Sequence, residues 1–452
     1  MTRKQLAAIF LILLSVAICT WAPLPLEANG RIVLALALIS AVCWTLEPIS
    51  VELTALCLLL ALPLSGVSTF DGAFSAFGRP AVWLVFAGMV ISQLITETRL
   101  GSLLSGIIIG RLRHPSVFIL ELSLLGLLLA ILIPSGVVRV LIILPVLIAL
   151  INALKVERQS NLSAAIVLSV VCATYYGGTG ILTASVPNMV IMGVLEAEQQ
   201  PVFWAQWAGH MLPVIGIIRV LTVAGVVVLF FRPSLPDVPL TREAPELGPP
   251  ERKALALLLL GVLAWATDVI HHVHPVLIGL SLSILCIAPR IGPLTTAHLR
   301  KVNYPILIYI GSVFALGEAF VDSDASAALA QRLTGWLDLA GNPMAKQLAA
   351  ITYIVTPFNF LVDTAVVGGV LTPPLLQLGA SSGLSALQVG LSVAVATGMV
   401  FFPYQGAPFM IAYSYGYVSM RQFVTTMVAV CLINLVILVP LNLLYWGWIG
   451  LF

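Results

Sequence analysis

Charged side chains are unusually scarce in this sequence. Asp, Glu, Lys and Arg together make up 9% of the 452 residues, whereas about 25% is usual in soluble proteins. Hydrophobic residues make up 60%, and the mean hydropathy is +1.08. These values exclude a soluble globular protein and predict an all-α polytopic membrane protein. Because the net charge of +2 is spread between apolar runs, we expect a lipid bilayer around the chain and no nucleic acid partner.

Paired cysteines and catalytic motifs are also missing. No two cysteines form a CxxC motif, and each lies inside an apolar segment, which favours small core residues over metal ligands or disulfides. The six are Cys19, Cys43, Cys57, Cys172, Cys286 and Cys431. The chain has no Walker motif for ATP and no HExxH motif for catalytic zinc. We therefore expect neither an enzyme nor a resident cofactor or metal centre.

Apolar segments fill most of the chain, and two kinds of interruption recur among them. A membrane helix needs about 20 apolar residues, and several of the segments are shorter. Tight polar tips join two pairs of segments, 115–133 with 136–154 and 347–361 with 364–379. Two other helices are predicted to be broken in the middle, 161–176 with 186–196 and 385–402 with 406–415.

The two halves of the chain repeat this order of segments, at an offset of about 225 residues. We predict an N-terminal helix in residues 1–29, a first repeat in 30–232, a cytoplasmic linker loop in 233–252 and a second repeat in 253–452. If the paired segments are re-entrant hairpins, the layout gives about eleven crossings and two inverted repeats. It also places most Lys and Arg residues inside. The N-terminus is then cytoplasmic, in what we expect to be a bacterial inner (plasma) membrane.

Small and polar residues mark the four interruptions. We name them the first hairpin tip (133–139), the first break (175–188), the second hairpin tip (359–364) and the second break (402–408). In lipid, unwound backbone is tolerated only where protein buries it or where it lines a cavity. Helices that begin after these interruptions would point N–H groups and partial positive charge at one region. The pattern therefore predicts an anion site.

Two stretches carry a family resemblance, GGTGILTASVPN at 177–188 and TGMVFFPYQGAPFMIAYSYGYVSMR at 397–421. They resemble the divalent anion:sodium symporter (DASS) family of the ion transporter superfamily. The resemblance implies eleven transmembrane helices in two inverted repeats, with two re-entrant hairpins and two broken helices. It also implies a homodimer in which a transport domain moves like an elevator against a scaffold. The implied function is secondary transport of a small dicarboxylate or other divalent anion together with sodium.

The hairpin tips differ from the pattern of that family, which has Ser-Asn-Thr at each tip. Here the first tip reads Ser135-Gly136-Val137 and the second reads Val362-Asp363-Thr364, so that only Ser135 and Thr364 match in place. Alternatives to sodium symport therefore stay open: a sodium-independent or proton-coupled anion carrier or exchanger, or a membrane homologue that does not transport.

The candidate site residues come from all four interruptions. Hydroxyl and backbone N–H groups would bind the anion, and the substrate candidates are Ser135, Gly136, Arg139, Thr183, Ser185, Pro187, Asn188, Asp363, Thr364, Gln405 and Pro408. Loop carbonyls and side-chain oxygens would bind a sodium ion, and the cation candidates are Ser135, Gly178, Thr179, Asp363, Thr364 and Gly406.

Charged residues inside apolar segments are costly, and they usually pair or line a cavity. Two interpretations of Arg139 and Asp363 are open. Arg139 would supply a fixed positive charge where the family uses a bound cation, while Asp363 binds a cation or a proton; or the two form an ion pair that only joins the hairpins. For Arg219 we expect a side chain that reaches the membrane surface or a nearby carbonyl. Asp268 is expected in a solvated loop.

Overall fold

A computed structural model of the chain describes residues 3–21, 26–46, 48–98, 100, 114–235, 248–328, 341–360 and 363–452. These residues form helices and connecting turns, and no β-strand occurs within these ranges. The predicted all-α fold is confirmed. Of the cysteines, Cys57 is exposed on its helix, contrary to the expected core position, while the other five are buried.

The helices are numbered here in chain order. The first half contains α1 (Arg3–Trp21), α2 (Ala28–Leu46), α3 (Val51–Leu64), α4 (Phe70–Ser75), α5 (Pro80–Thr96), α6 (Pro115–Leu132), α7 (Gly136–Ala153), α8 (Asn161–Tyr176), α9 (Val186–Ala197), α10 (Trp204–Met211) and α11 (Arg219–Phe231). The second half contains α12 (Pro249–Ala266), α13 (Asp268–His271), α14 (Pro275–Ile287), α15 (Pro305–Asp322), α16 (Met344–Val355), α17 (Thr364–Ser381), α18 (Ala386–Thr397), α19 (Ala407–Ser414), α20 (Met420–Ile433) and α21 (Val439–Trp448).

Proline sets the start of many of these helices. The first residue of α5, α6, α12, α14 and α15 is a proline, which lacks the N–H that would stay unpaired there and has the φ angle that a helix needs. Helix α12 begins at Pro249, inside the stretch that we assigned to the linker, and residues 236–247 of that linker lie outside the described ranges.

Both predicted helix breaks are present. The first helix ends at Tyr176, passes through the 3-10 turns Gly177–Gly180 and Leu182–Ala184, and resumes at Val186. The second ends at Thr397 and resumes at Ala407 after the turn Pro403–Gln405. Glycine and proline account for both breaks, because glycine weakens a helix and proline removes a backbone donor.

The same order of elements occurs in both halves. Each half has two helices that meet at a tip, then a broken helix, then a long helix that contains a π-helical segment, Leu212–Ile218 in the first half and Asn434–Leu438 in the second. Six described helices are long and apolar enough to cross a membrane, or seven if Phe70–Gly78 and Pro80–Thr96 form one bent span. The chain is therefore a polytopic membrane protein with broken helices, while eleven crossings and the inverted orientation stay predictions.

Helices α5 and α15 form a wall beside the interrupted helices. The wall contacts α9, the second part of the first broken helix, and α15 also packs along α17 of the second hairpin. Arg79, which precedes α5, donates to the carbonyl of Gly193 on α9 at 3.3 Å and forms an ion pair with Glu318 of α15. The candidate site lies where this wall faces the four interruptions.

Candidate functional site

One cavity of about 360 Å³ brings all four interruptions together. Ten of the residues predicted for the site line it: Ser135, Gly136, Arg139, Ser185, Pro187, Asp363, Thr364, Gln405, Gly406 and Pro408. Residues 361 and 362 of the second hairpin tip lie outside the described ranges. Segments that are more than 200 residues apart in the chain thus share one lining, as expected for a site built from two repeats.

Four helices begin at this cavity. The first residues of α7, α9, α17 and α19 are Gly136, Val186, Thr364 and Ala407, and all four line the cavity. The first turn of a helix leaves N–H groups without an intrahelical partner and carries partial positive charge. Four such helix ends around one cavity create a field that favours an anion.

Arg139 adds a full positive charge beside these helix ends. Its side chain is 1% exposed, and the guanidinium donates to two backbone carbonyls, from Nη1 to Ile133 at 2.8 Å and from Nη2 to Ala184 at 2.9 Å. A Cβ atom on Gly136 or Gly178 would lie 3.3 or 3.2 Å from Nη2. The guanidinium therefore lies directly behind backbone that has no side chain to cover it.

Asp363 does not pair with Arg139, and the predicted alternative of a buried ion pair between them is wrong. The four ion pairs among the described side chains do not include either residue. Instead, Asp363 Oδ1 accepts a hydrogen bond from the Tyr309 hydroxyl at 2.9 Å and another from the Ala365 N–H at 2.8 Å. The Asp363 side chain is exposed and lines the cavity. Each charge thus faces the cavity without the other as its partner.

Four predicted residues of the first break, Gly178, Thr179, Thr183 and Asn188, lie behind the cavity. The amide of Asn188 donates to the carbonyls of Thr179 at 3.1 Å and Ile181 at 3.0 Å. The Thr183 hydroxyl accepts from the Trp204 indole at 3.1 Å. These contacts satisfy polar groups that the break exposes, so they hold the shape of the loop.

The side chain of Gln405 likewise holds the shape of the second break, although it also lines the cavity. Its Oε1 accepts from the N–H groups of Phe401 at 2.8 Å and Phe402 at 2.7 Å, and its Nε2 donates to the Asn359 carbonyl at 2.5 Å. The Asn359 amide in turn donates to the carbonyls of Ala396 at 2.7 Å and Met399 at 3.0 Å. The second break and the second hairpin tip are therefore joined through their amides.

Arg219 is neither at the membrane surface nor on a carbonyl, contrary to expectation. It is 0% exposed and donates from Nη1 to the Thr179 hydroxyl at 2.9 Å, while Nη2 lies 2.9 Å from the sulfur of Met399. Its guanidinium also lies over the ring of Tyr176, at 5.3 Å from the centroid. The side chain instead lies between the two broken helices, with Thr179 and Tyr176 of the first and Met399 of the second as its partners.

Asp268 is buried, so the expectation of a solvated position is wrong. Its two carboxylate oxygens accept from the N–H groups of Trp204 at 2.6 Å and Ala205 at 3.2 Å. These are the first residues of α10, whose N–H groups need an acceptor. Asp268 therefore caps a helix that follows the first broken helix.

Tyr175, Tyr309 and Lys301 line the cavity but were not among the predicted site residues. The ring of Tyr175 packs on Phe409 with the centroids 4.7 Å apart. Tyr309 gave one signal in the sequence, since a buried hydroxyl in a membrane helix needs a partner. Lys301, whose side chain is 55% exposed, lies 2.5 Å from a carboxylate oxygen of Glu97, so the cavity reaches the protein surface beside this pair.

Comparisons with known proteins give a consistent result. The family described as "Sodium:sulfate symporter transmembrane region" matches residues 2–452. An uncharacterized transporter of Haemophilus influenzae is 24% identical over 94% of this chain and 93% of its own length. The sodium-dependent dicarboxylate transporter SdcS of Staphylococcus aureus is 23% identical over 92% of this chain and 86% of its own length. The crystal structure of the Alcanivorax borkumensis YdaH transporter has the same fold, with a TM-score of 0.53, 14% identity and 99% coverage of both chains.

Proposed function

This chain belongs to the sodium:sulfate symporter family, the divalent anion:sodium symporter family that its motifs resemble, and we propose on that premise that it carries a small carboxylate anion by alternating access. Anion transport itself follows from the family, and the chain is not an enzyme. The observation that supports the proposed substrate is the arrangement of Arg139 and the N-termini of α7, α9 and α19 around one cavity.

Each part of the proposed site contributes to anion binding in a different way. The N–H groups at the starts of α7 and α9 donate to a carboxylate, and the Ser135 hydroxyl adds a further donor. The positive charge of Arg139 acts through the bare backbone of Gly136, where little water screens it. A dicarboxylate or another divalent anion suits this field, and SdcS is by its name a dicarboxylate transporter.

We propose that this chain differs from the rest of its family in sodium coupling. The carbonyls at the interruptions would be the natural oxygen ligands of a sodium ion. The carbonyls of Ile133 and Ala184 already accept from Arg139. The amides of Asn188 and Asn359 donate to four more carbonyls in or beside the two breaks, those of Thr179, Ile181, Ala396 and Met399. We therefore favour a carrier in which Arg139 replaces the cation and which needs no sodium, with sodium symport as the alternative.

The proposed movement is an elevator, in which the two hairpins and the broken helices slide along the wall of α5 and α15. The contact of Arg79 with Gly193 and the contact of Tyr309 with Asp363 both cross from the wall to the sliding part. Such contacts must break and re-form in each cycle. A homodimer, a cytoplasmic N-terminus and a bacterial inner membrane stay predictions from the sequence.

Uptake by proteoliposomes tests this function. Labelled succinate, citrate and sulfate are offered with sodium, potassium or choline as the cation, to the wild type, Arg139→Met and Arg421→Met. We expect succinate uptake that does not depend on sodium, is lost in Arg139→Met and persists in the control, because Arg421 is exposed. Uptake that needs a sodium gradient would favour sodium symport over the sodium-independent carrier. No uptake of any anion would contradict the proposed substrate class.

A further inference from the structure

Arg139 and Asp363 line the cavity as opposite charges that do not neutralise each other, while Lys301, the other charged side chain in the lining, pairs with Glu97. Arg139 forms no ion pair with a described carboxylate, and Asp363 forms none with a described cation. Charges within a membrane protein usually pair or face a cavity where something else supplies the opposite charge. Since both face the same cavity, the missing partners belong on the ligand.

The positive groups are clustered on one side of this arrangement. The guanidinium of Arg139 contacts Ala184, just before α9, and lies behind Gly136, the first residue of α7. A Cβ atom on Gly136 would also lie 3.3 Å from Cγ of Pro408, in the first turn of α19. The N-termini of α7, α9 and α19 therefore surround the charge of Arg139, and this end of the cavity attracts carboxylates.

The N-terminus of α17 is different, because Asp363 already caps it. The carboxylate accepts from the Ala365 N–H, whereas the corresponding cap of α7 is the neutral Ser135, whose hydroxyl accepts from Val138 at 3.4 Å. A built-in carboxylate cancels the positive end of its helix. The Tyr309 hydroxyl orients the same carboxylate from the wall. This end of the cavity therefore repels a second carboxylate and attracts a cation or a strong donor.

We propose that the substrate is an amino dicarboxylate, with its carboxylates at the Arg139 end and its ammonium group against Asp363. The inference rests on the proposed function and narrows its substrate class. A plain dicarboxylate would leave Asp363 without a positively charged partner, whereas an added ammonium group forms a charge-assisted hydrogen bond with it. Aspartate and succinate are a matched pair for this question, because they share a carbon chain and differ only in the ammonium group.

The test compares the affinities of aspartate, succinate and N-acetylaspartate for the purified protein at pH 7 by titration calorimetry. We expect wild type to bind aspartate at least tenfold more tightly than succinate, and N-acetylaspartate to lose that advantage because its nitrogen is uncharged. In Asp363→Asn, aspartate binding should weaken at least tenfold and succinate binding should tighten. The asparagine keeps an acceptor for Tyr309 and Ala365, so the tip retains its hydrogen bonds.

The outcomes separate this inference from the proposed function. Equal affinities of wild type for aspartate and succinate, or the same ratio in Asp363→Asn, would overturn the ammonium site. If the ammonium site is overturned in this way but succinate binding is lost in Arg139→Met, the proposed anion site at Arg139 is still supported. If wild type binds none of the three ligands, the proposed substrate class fails together with the inference. Tyr309→Phe is a second variant, which should reduce the preference for aspartate by releasing the Asp363 carboxylate.

Discussion

The hydroxyl of Tyr309 donates to the carboxylate of Asp363 across 2.9 Å and so joins wall helix α15 to the second hairpin tip. A hydrogen bond to a charged group contributes about 1.5–3 kcal/mol. We expect Tyr309→Phe to lower the free energy of unfolding by about that amount, and to have a much smaller effect when Asp363 is already asparagine. Denaturation of the single and double variants measures this coupling. Additive effects would mean that the two side chains do not interact.

Gly193 on α9 is one of the points where the sliding part packs closely against the wall. A Cβ atom there would lie 2.6 Å from the Phe314 ring and 2.8 Å from Ala81. Gly193→Ala should therefore cost about 1–3 kcal/mol of stability and slow uptake more than it weakens binding. In the control Gly225→Ala, no atom lies within 4 Å of the new Cβ, and alanine should stabilise the helix by about 0.5–1 kcal/mol. Equal effects of the two substitutions would contradict close packing at Gly193.

Asp268 holds the start of α10 from a different part of the chain. Its removal leaves the N–H groups of Trp204 and Ala205 without their acceptor. We expect Asp268→Ala to lower stability by about 1 kcal/mol, with Asp71→Ala, in the first turn of the short and exposed helix α4, as the weaker comparison. Thermal unfolding of both variants measures the difference. An Asp268→Ala protein as stable as wild type would show that water replaces this cap.

Glu97 should give the protein an acid-sensitive contact at the surface end of the cavity. Its hydrogen bond with Lys301, together with the charges of Lys301 and His298, lowers the pKa of Glu97 below the ordinary range. A carboxylate with a lowered pKa stabilises the folded state above the unfolded pKa of about 4.3, and this contribution is lost as the pH falls through the lower folded value.

The melting temperature of wild type should accordingly fall more than that of Glu97→Gln when the pH is lowered from 6 to about 3.5. The effect is small because the pair is near the surface. Lys301→Gln should remove the same pH dependence, since it removes the partner that lowers the pKa of Glu97. Parallel pH curves for wild type and Glu97→Gln would contradict this assignment.

Substitution of Thr179 tests whether this residue has a structural role or binds a ligand. Its hydroxyl donates to the Tyr176 carbonyl at 2.7 Å and accepts from Arg219, but it does not line the cavity. Thr179→Val should cost about 1–3 kcal/mol, because buried Arg219 loses its acceptor, while anion affinity stays unchanged within error. Ser135→Ala, at the cavity, should show the reverse pattern. A marked loss of anion affinity in Thr179→Val would contradict a purely structural role for Thr179.

Much of the architecture could be predicted from the chain alone, because its causes are local. Apolar length places segments in the membrane, and glycine and proline break a helix wherever they occur. The first break was predicted between 176 and 186 and the second between 402 and 406, and the structure has them between Tyr176 and Val186 and between Thr397 and Ala407. The hairpin tips before Gly136 and Thr364 also matched within a few residues. The motifs around the two breaks also indicated the family, to which the chain belongs.

The sequence could not say which way each side chain of an interruption points. Thr183 and Ser185 are two residues apart, yet Thr183 accepts from Trp204 behind the loop while Ser185 lines the cavity. Helices and strands have a period from which the facing side can be read. The first break has no such period, because its backbone changes from 3-10 turns to extended residues within a few positions.

The sequence by itself determined a membrane protein with broken helices, the positions of those breaks and the family. Only the tertiary structure decided how its charges are used. Arg139 and Asp363 lie more than 200 residues apart, and whether they pair depends on the packing of whole helices, which no local pattern encodes. That packing gave Arg139 two backbone carbonyls, gave Asp363 a tyrosine from the wall, and left both charges facing one cavity.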